Sequence, residues 1–488
     1  MRDFIGIKLG EEWLDLPPDL VIQIEMWNAL FETDRIPGTL ILPIMLPHSA
    51  TNSKKLGFPG HLSVARYKQP QEPCYVFLMG QLWRVGKLNL IKRTPRGYEV
   101  NFQTDVGDIS VQMKETSLRE IDLGTDALQL QVSGVFPDSK YALFTVFNQN
   151  FFNGQNVAFN GLVNNYTDSF LAGADNPITP FPFLLHVLHR TMAAFGYTVK
   201  GSWLEEEEVK RLVVYNTYAL HPAVNGSLIT FSNHVPDMKV NEFLKAIRTM
   251  FCLGMVFNPL RRELEIVRLS DVVADRSYVE WTHNTNRLYD WEPSPERGFK
   301  LEMSPDGNDE LQKTATGLTF LVGAGQEPIT APVSTLPMEV AYGRLLPTAF
   351  QKGGNIGGSG EEGKFSLRLL TYRGLQPLEV GDDLYPMGTS GVVDVRGSQI
   401  GTDSIEWQGA AGLYERRHKP WLTFLSDGDR IETEQTFKVA DILGLDLKKR
   451  AFIRHESGVF TGLWEKVSIS VSKQKGLQSA KVPIRRIY

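Results

Sequence analysis

The chain has 488 residues, with 51 Lys and Arg against 56 Asp and Glu, a formal net charge of −5 and 42% apolar side chains. That balance excludes wholesale disorder and a coiled-coil rod. It also argues against an electrostatic nucleic-acid binder, which carries a basic face. Cys74 and Cys252 are the only cysteines, too few for a disulfide framework or a Cys-based zinc site. A compact monomer of 54.9 kDa is expected to expose roughly 18,000 Å² and to hold two to four domains. The 27 Phe, 15 Tyr and 9 Trp supply large rigid side chains suited to β cores and subunit interfaces.

The N-terminus lacks the apolar segment of a secretory signal. The longest apolar stretch, residues 40–46, falls far short of the roughly 20 residues of a membrane helix, so no membrane span is expected. Residues 1–124 read as β. Strands are predicted over 21–27, over 39–46 with Pro43 at an edge or bulge, over 75–83 and over 87–92. Residues 52–60 have the composition of a loop. Pro95-Arg96-Gly97 then turns the chain into 98–103, where strict alternation puts Tyr98, Val100 and Phe102 on one face. Short strands separated by turn signals predict an antiparallel barrel or sandwich.

Residues 125–180 are rich in Asn, Gly and Phe and lack periodicity. A helix is predicted near 182–195, opened by Pro182 and stopped by Gly196, with Leu184, Val187, Leu188 and Met192 as its apolar stripe. A second, near 240–253, is signalled by Asp237 and carries Val240, Phe243, Leu244, Ile247 and Phe251 on one face. Strands over 255–257 and 263–269 complete an α+β unit. From about residue 300 the chain becomes β-like again, with strands over 365–372, 430–436 and 467–471 and a helical turn at 439–445. Residues 351–363 form a Gly-rich segment predicted to be a flexible loop.

No motif carries chemistry. Gly358 to Phe365 matches the G-x-x-x-x-G-K part of a P-loop, but Phe365 stands where Ser or Thr must hold Mg²⁺, and Glu361 and Glu362 would face the phosphates. His186 and His189 are three apart on a helix, without a Cys, Asp or Glu spaced to complete a metal set. Glu25, Asp105, Asp237, Asp382 and Glu406 are carboxylates that spacing alone does not single out as a glycosidase pair. No catalytic residue, cofactor-binding residue or metal ligand is assigned. A long, aromatic, weakly charged β-rich chain without visible chemistry has the profile of a structural or assembly protein.

Several stretches carry a resemblance. Residues 34–39 (Asp-Arg-Ile-Pro-Gly-Thr) with Leu46-Pro47, Asn52 and Leu56-Gly57-Phe58-Pro59 open it. The hairpin 78–88 around Gly80 and Gly86 follows. Pro182-Phe183-Leu184-Leu185 leads to Phe195-Gly196-Tyr197 and Gly201. Asn233 to Asp237 with Phe243-Leu244-Lys245-Ala246 comes next. Trp407-Gln408-Gly409 with Gly412 to Glu415, Lys419, Trp421 and Leu422 ends the set. Together they resemble the phage tail hub (baseplate hub) proteins found in prophages.

The resemblance implies an α+β, β-rich fold with two tail-tube-like antiparallel β-barrel domains plus a mixed α+β domain. Mapped on this chain, 1–124 is the first barrel domain, 125–300 the α+β domain and 301–488 the second barrel region. It further implies a non-enzymatic homotrimer in the virion tail, made in the host bacterial cytoplasm and needing no cofactor. Its partners would be the tail tube or distal tail protein, tip, spike or fibre proteins, and the tape-measure protein. DNA would pass through its channel without specific binding. A tail-tip cell-wall hydrolase and a carbohydrate-binding adhesin are the alternatives.

Overall fold

The computed structural model describes residues 4–32, 41–61, 63, 72–130, 134–166, 176–220, 228–294, 297–456 and 458–488. The segment 34–39 lies outside them. Strands hold 40% of the described residues and helices 19%, so the protein is β-rich and of the α+β class.

The N-terminal sheet has six antiparallel strands in the order Glu12–Trp13, Ile5–Leu9, Cys74–Leu78, Gln81–Thr94, Gly97–Thr104 and Ile41–Leu46. Alternation sets its register: Tyr98, Val100 and Phe102 are all buried, and Phe102 faces Leu42 on one side and Leu88 on the other. Pro43 sits in the edge strand, where its missing N–H costs the least.

The C-terminal sheet has nine strands. Six form a continuous path, Tyr278–Glu280, Arg450–His455, Gly458–Trp464, Ala480–Arg486, Arg430–Gln435 and Thr285–Glu292. The first and last strands of this path are neighbours in sequence, joined only by residues 281–284. Such a link reaches about 18 Å, whereas a flat sheet would hold strands five spacings apart roughly 24 Å from one another. The sheet must therefore roll. The Tyr289 ring on the last strand indeed lies 4.8 Å, edge to face, from the His455 ring on the second.

A side branch of the same sheet pairs Lys466–Ser472 with Val21–Trp27 from the other end of the chain, in the register Val21↔Ser472 to Trp27↔Lys466. One contiguous core lies beneath both sheets. Ile5, Ile7, Val76, Val100 and Phe102 meet Ile453, Val467, Ile469, Val482 and Ile484 within it. Packing thus joins segments that a division at residues 124 and 300 keeps apart.

The larger core belongs to the middle of the chain and extends past residue 300. Phe299, Leu301, Leu367, Leu369, Trp407, Leu413, Trp421, Leu422 and Phe424 pack with the two helices. Strands Arg344–Ala349, Arg368–Pro377 and Leu384–Thr389 pack on residues 142–219. Residues 301–425, placed in the second barrel region by chain order, are here bound to the α+β part because their apolar faces cover its helices and short strands.

Helix Leu184–Ala194 is buried on nearly every side, so its stripe is wider than four residues. Helix Val240–Met250 buries Val240, Phe243, Leu244, Ala246 and Ile247 and leaves Glu242 outside. Its N-cap is Lys239; Asp237 instead accepts a hydrogen bond from Ser117 Oγ at 2.7 Å, tying the helix entry to the turn Leu118–Glu120.

In the described part of 125–180 a side-chain amide takes over bonds that a ladder would make, at Asn164. Asn164 Oδ1 accepts from Thr179 N at 2.7 Å, while its Nδ2 donates to Thr179 O and Phe144 O. The Gly-rich segment 351–363, expected as a flexible loop, is anchored. Gly353 N and Gly354 N donate to Phe151 O and Thr217 O. Asn355, at φ 51°, donates to Ala219 O and accepts from Gly360 N.

Candidate assembly surface

The carboxylates considered from sequence stand in separate settings. Glu25, on the outer face of its strand, pairs with Lys466 at 2.8 Å. Asp237 is held by Ser117, Asp382 lies in an exposed turn, and the Asp105 side chain lies outside the described residues. Glu406 accepts from Ser390 Oγ at 2.6 Å and is the single carboxylate lining a cavity of about 180 Å³ floored by Gln312, Leu336 and Trp407.

His186 Nε2 is 3.0 Å from Leu123 O and its ring packs on Phe231. Burial pushes its pKa down to about 4. His189 stacks on Phe136, and burial lowers its pKa too. His186 is a core histidine and His189 a half-buried one, and no group of three or more metal-binding side chains occurs among the described residues. In the Gly-rich segment Glu361 pairs with Lys352 and Glu362 with Arg119. Phe365 is buried, and strand Arg368–Pro377, not a helix, follows.

The most deeply buried charges serve the scaffold. Arg368, Asp306 and Asp309 are fully buried. Arg368 Nη1 donates to Asp309 Oδ2 at 2.6 Å, and Nη2 lies 3.2 Å from Asp306 Oδ2 and donates to Gln351 Oε1. Its guanidinium stacks 4.5 Å from the Tyr215 ring centroid. Backbone N–H groups of Ser366 and Asn308 donate to Asp306, and those of Leu311 and Phe350 to Asp309. Burial raises the Asp306 pKa, but Arg368 and these N–H donors outweigh it and hold the group below the ordinary carboxylate range. The cluster locks residues 306–312 onto the strand that begins at Arg368.

What remains conspicuous is apolar surface. The seam of the rolled sheet carries Leu288 (80% exposed), Trp291 (55%) and Tyr289 on one border strand and Tyr278 (55%) and Val279 on the other. Strand Thr285–Glu292 is hydrogen-bonded on one side alone among the described strands, to Arg430–Gln435, with an irregularity between Thr285 and Tyr289. A bordering strand that carries large apolar side chains is a template for pairing.

A second patch lies on the outer face of the N-terminal sheet. The Trp13 ring rests over Gly6, where a Cβ would come within 2.8 Å of it, and packs 5.0 Å from Phe77. Leu82, opposite Phe77, and Met79 extend the patch. No chemical signature marked these positions in the sequence. Only the apolar residues of 285–292 at a period that buries neither face could have pointed to them.

No family model and no curated protein matches this sequence. Among solved structures it is similar to the 43 kDa tail protein of prophage MuSo2 from Shewanella oneidensis, at 11% identity and a TM-score of 0.41, covering 99% of this chain and 98% of that one. A tail protein from Neisseria meningitidis MC58 aligns at 9% identity and a TM-score of 0.37, over 99% and 96% of the two chains. The prophage tail protein gp18 from Listeria monocytogenes EGD-e aligns at 7% identity and a TM-score of 0.39, over 99% and 94%.

Proposed function

We propose that this chain is a structural subunit of a phage tail, a hub whose three copies close into a pseudo-six-fold ring. The ring joins the tail tube to the tail tip around a channel for DNA and the tape-measure protein. The observation that carries this reading is the seam: a rolled sheet whose border strands present Tyr278, Leu288, Tyr289 and Trp291 to solvent. Burying each such side chain against a neighbour is worth about 1.5–3 kcal/mol.

A net charge of −5 suits a bore that DNA must slide through, since each cation on a phosphate would add counterion-release affinity.

Mass measurement in solution, alone and with tube or tip chains present, tests the proposal. A trimer is expected. A strict monomer under every condition would sink it, and so would lysis of cell-wall material in a zymogram by the purified chain.

A further inference from the structure

Two hairpins of the middle domain meet at their tips. Strands Met338–Ala341 and Arg344–Ala349 turn through Tyr342 and Gly343, and Arg368–Pro377 and Leu384–Thr389 turn through 378–383. Glu379 N donates to Gly343 O at 2.8 Å, which ties one tip to the other. Arg396 donates to Leu378 O and Gly381 O, and Leu378 N to Asp383 O, so the second turn is held in one shape. Tyr342 OH donates to Asn160 O at 3.0 Å.

This braced surface exposes Val340 and Tyr342 (60% each), Val380 (83%) and Leu384. Four exposed carboxylates, Glu339, Glu379, Asp382 and Asp383, surround them. Among the described residues none of the four lies in an ion pair. With the Arg396 guanidinium seated in the same turn as a counter-charge, the four carboxylates still leave a rigid apolar patch ringed by net negative charge, which calls for a partner that is apolar and basic.

The same chain carries such a surface on its other core. Hairpin Gln81–Thr94 and Gly97–Thr104 ends in a turn with Lys92, Arg93 and Arg96. Lys92 is paired with Glu99, while Arg93 and Arg96 are exposed and have no carboxylate partner among the described residues. Arg93 lies across Gly60, in the turn that presents Phe58, and Ile91 is exposed on the same hairpin.

We propose that the joined tips around Tyr342 and Val380 of one copy dock on the basic turn 91–96 of a second copy. The contact is head to tail, because its two halves differ, and repeating it closes a ring wherever the rotation allows. The inference rests on the ring reading above and assigns one of its contacts to residues.

Two variants of the full chain test it, one with Glu379→Lys and Asp382→Lys, the other with Arg93→Glu and Arg96→Glu. Sedimentation of the wild type at about 100 µM, a concentration that reveals micromolar contacts, is expected to show self-association that weakens with salt. Each variant is expected to weaken it at least about tenfold, and mixing the two to restore pairing. A disulfide formed between Val380→Cys and Arg96→Cys chains after mixing would support the contact directly. Unchanged association in both variants, no recovery on mixing, or a monomeric wild type at this concentration would overturn it. Trimers that persist unweakened in each single-patch variant would sink this contact and keep the ring, whereas a chain monomeric even with tube or tip chains present would sink both.

Discussion

Replacing Arg368 by Met leaves Asp306 and Asp309 fully buried with no cation beside them. Removing one partner of such a cluster costs about 3–5 kcal/mol, because a charge left in the interior is not repaid elsewhere. For a cooperative unit of 150–250 residues that corresponds to a melting shift of roughly 6–20 °C. The deficit has a pH signature. Without the guanidinium, burial, the largest influence on the Asp306 carboxyl, raises its folded pKa from the depressed position it holds in the wild type. The wild-type group stabilises the fold above the unfolded carboxylate range and loses that contribution as pH falls, so the variant should fall furthest behind the wild type at pH 7 and least at pH 4. Adding Asp309→Asn should recover part of the loss. Scanning calorimetry of the wild type and both variants at the two pH values is the measurement. A shift below 2 °C, roughly the effect of 1 kcal/mol, or a deficit that does not change with pH, would refute the reasoning.

Leu244, on the buried face of helix Val240–Met250, should not tolerate Asp. The unpaired charge costs several kcal/mol, and the readout is loss of soluble, protease-resistant protein, with Leu244→Met as the tolerated control. Wild-type stability should also fall on acidification. Burial lowers the pKa of His186 and His418 to about 4 and of His234 to about 3, so between pH 6.5 and 4 the unfolded chain binds protons that the folded chain refuses. The predicted stability is full above pH 6.5 and declines below it, by up to about 1.4 kcal/mol per pH unit for each group. Denaturant midpoints measured from pH 7.5 to 4.5 check this, and a flat profile would contradict it.

Local patterns were readable from the sequence wherever one face of an element is buried. Tyr98, Val100 and Phe102 declare their sheet face by alternation, and Phe243, Leu244 and Ile247 their helix face by spacing, because burial acts on single side chains. Pairing was not readable. Nothing in Val21–Trp27 says that its partner is Lys466–Ser472, since a ladder is made of backbone groups that every residue shares. The Gly-rich segment misled for a related reason. Its composition suits a mobile linker, yet Asn355 and the close approach of Gly353 to the Phe151 ring require small residues at a packed site. The exposed seam had no signature because docking surfaces are defined by what remains uncovered after folding.

The union of Val21–Trp27 with Lys466–Ser472 also sets a timetable. Asn28 Nδ2 reaches the carbonyl of Trp464, 436 residues later. At about 5–20 residues per second on the ribosome, the early strand waits roughly 20–90 s for its mate. Throughout translation an apolar ribbon near the start of the nascent polypeptide stands unmatched, within reach of chains emerging from neighbouring ribosomes. Yield during overexpression should therefore respond more to slower synthesis or holdase chaperones than to changes in the finished molecule.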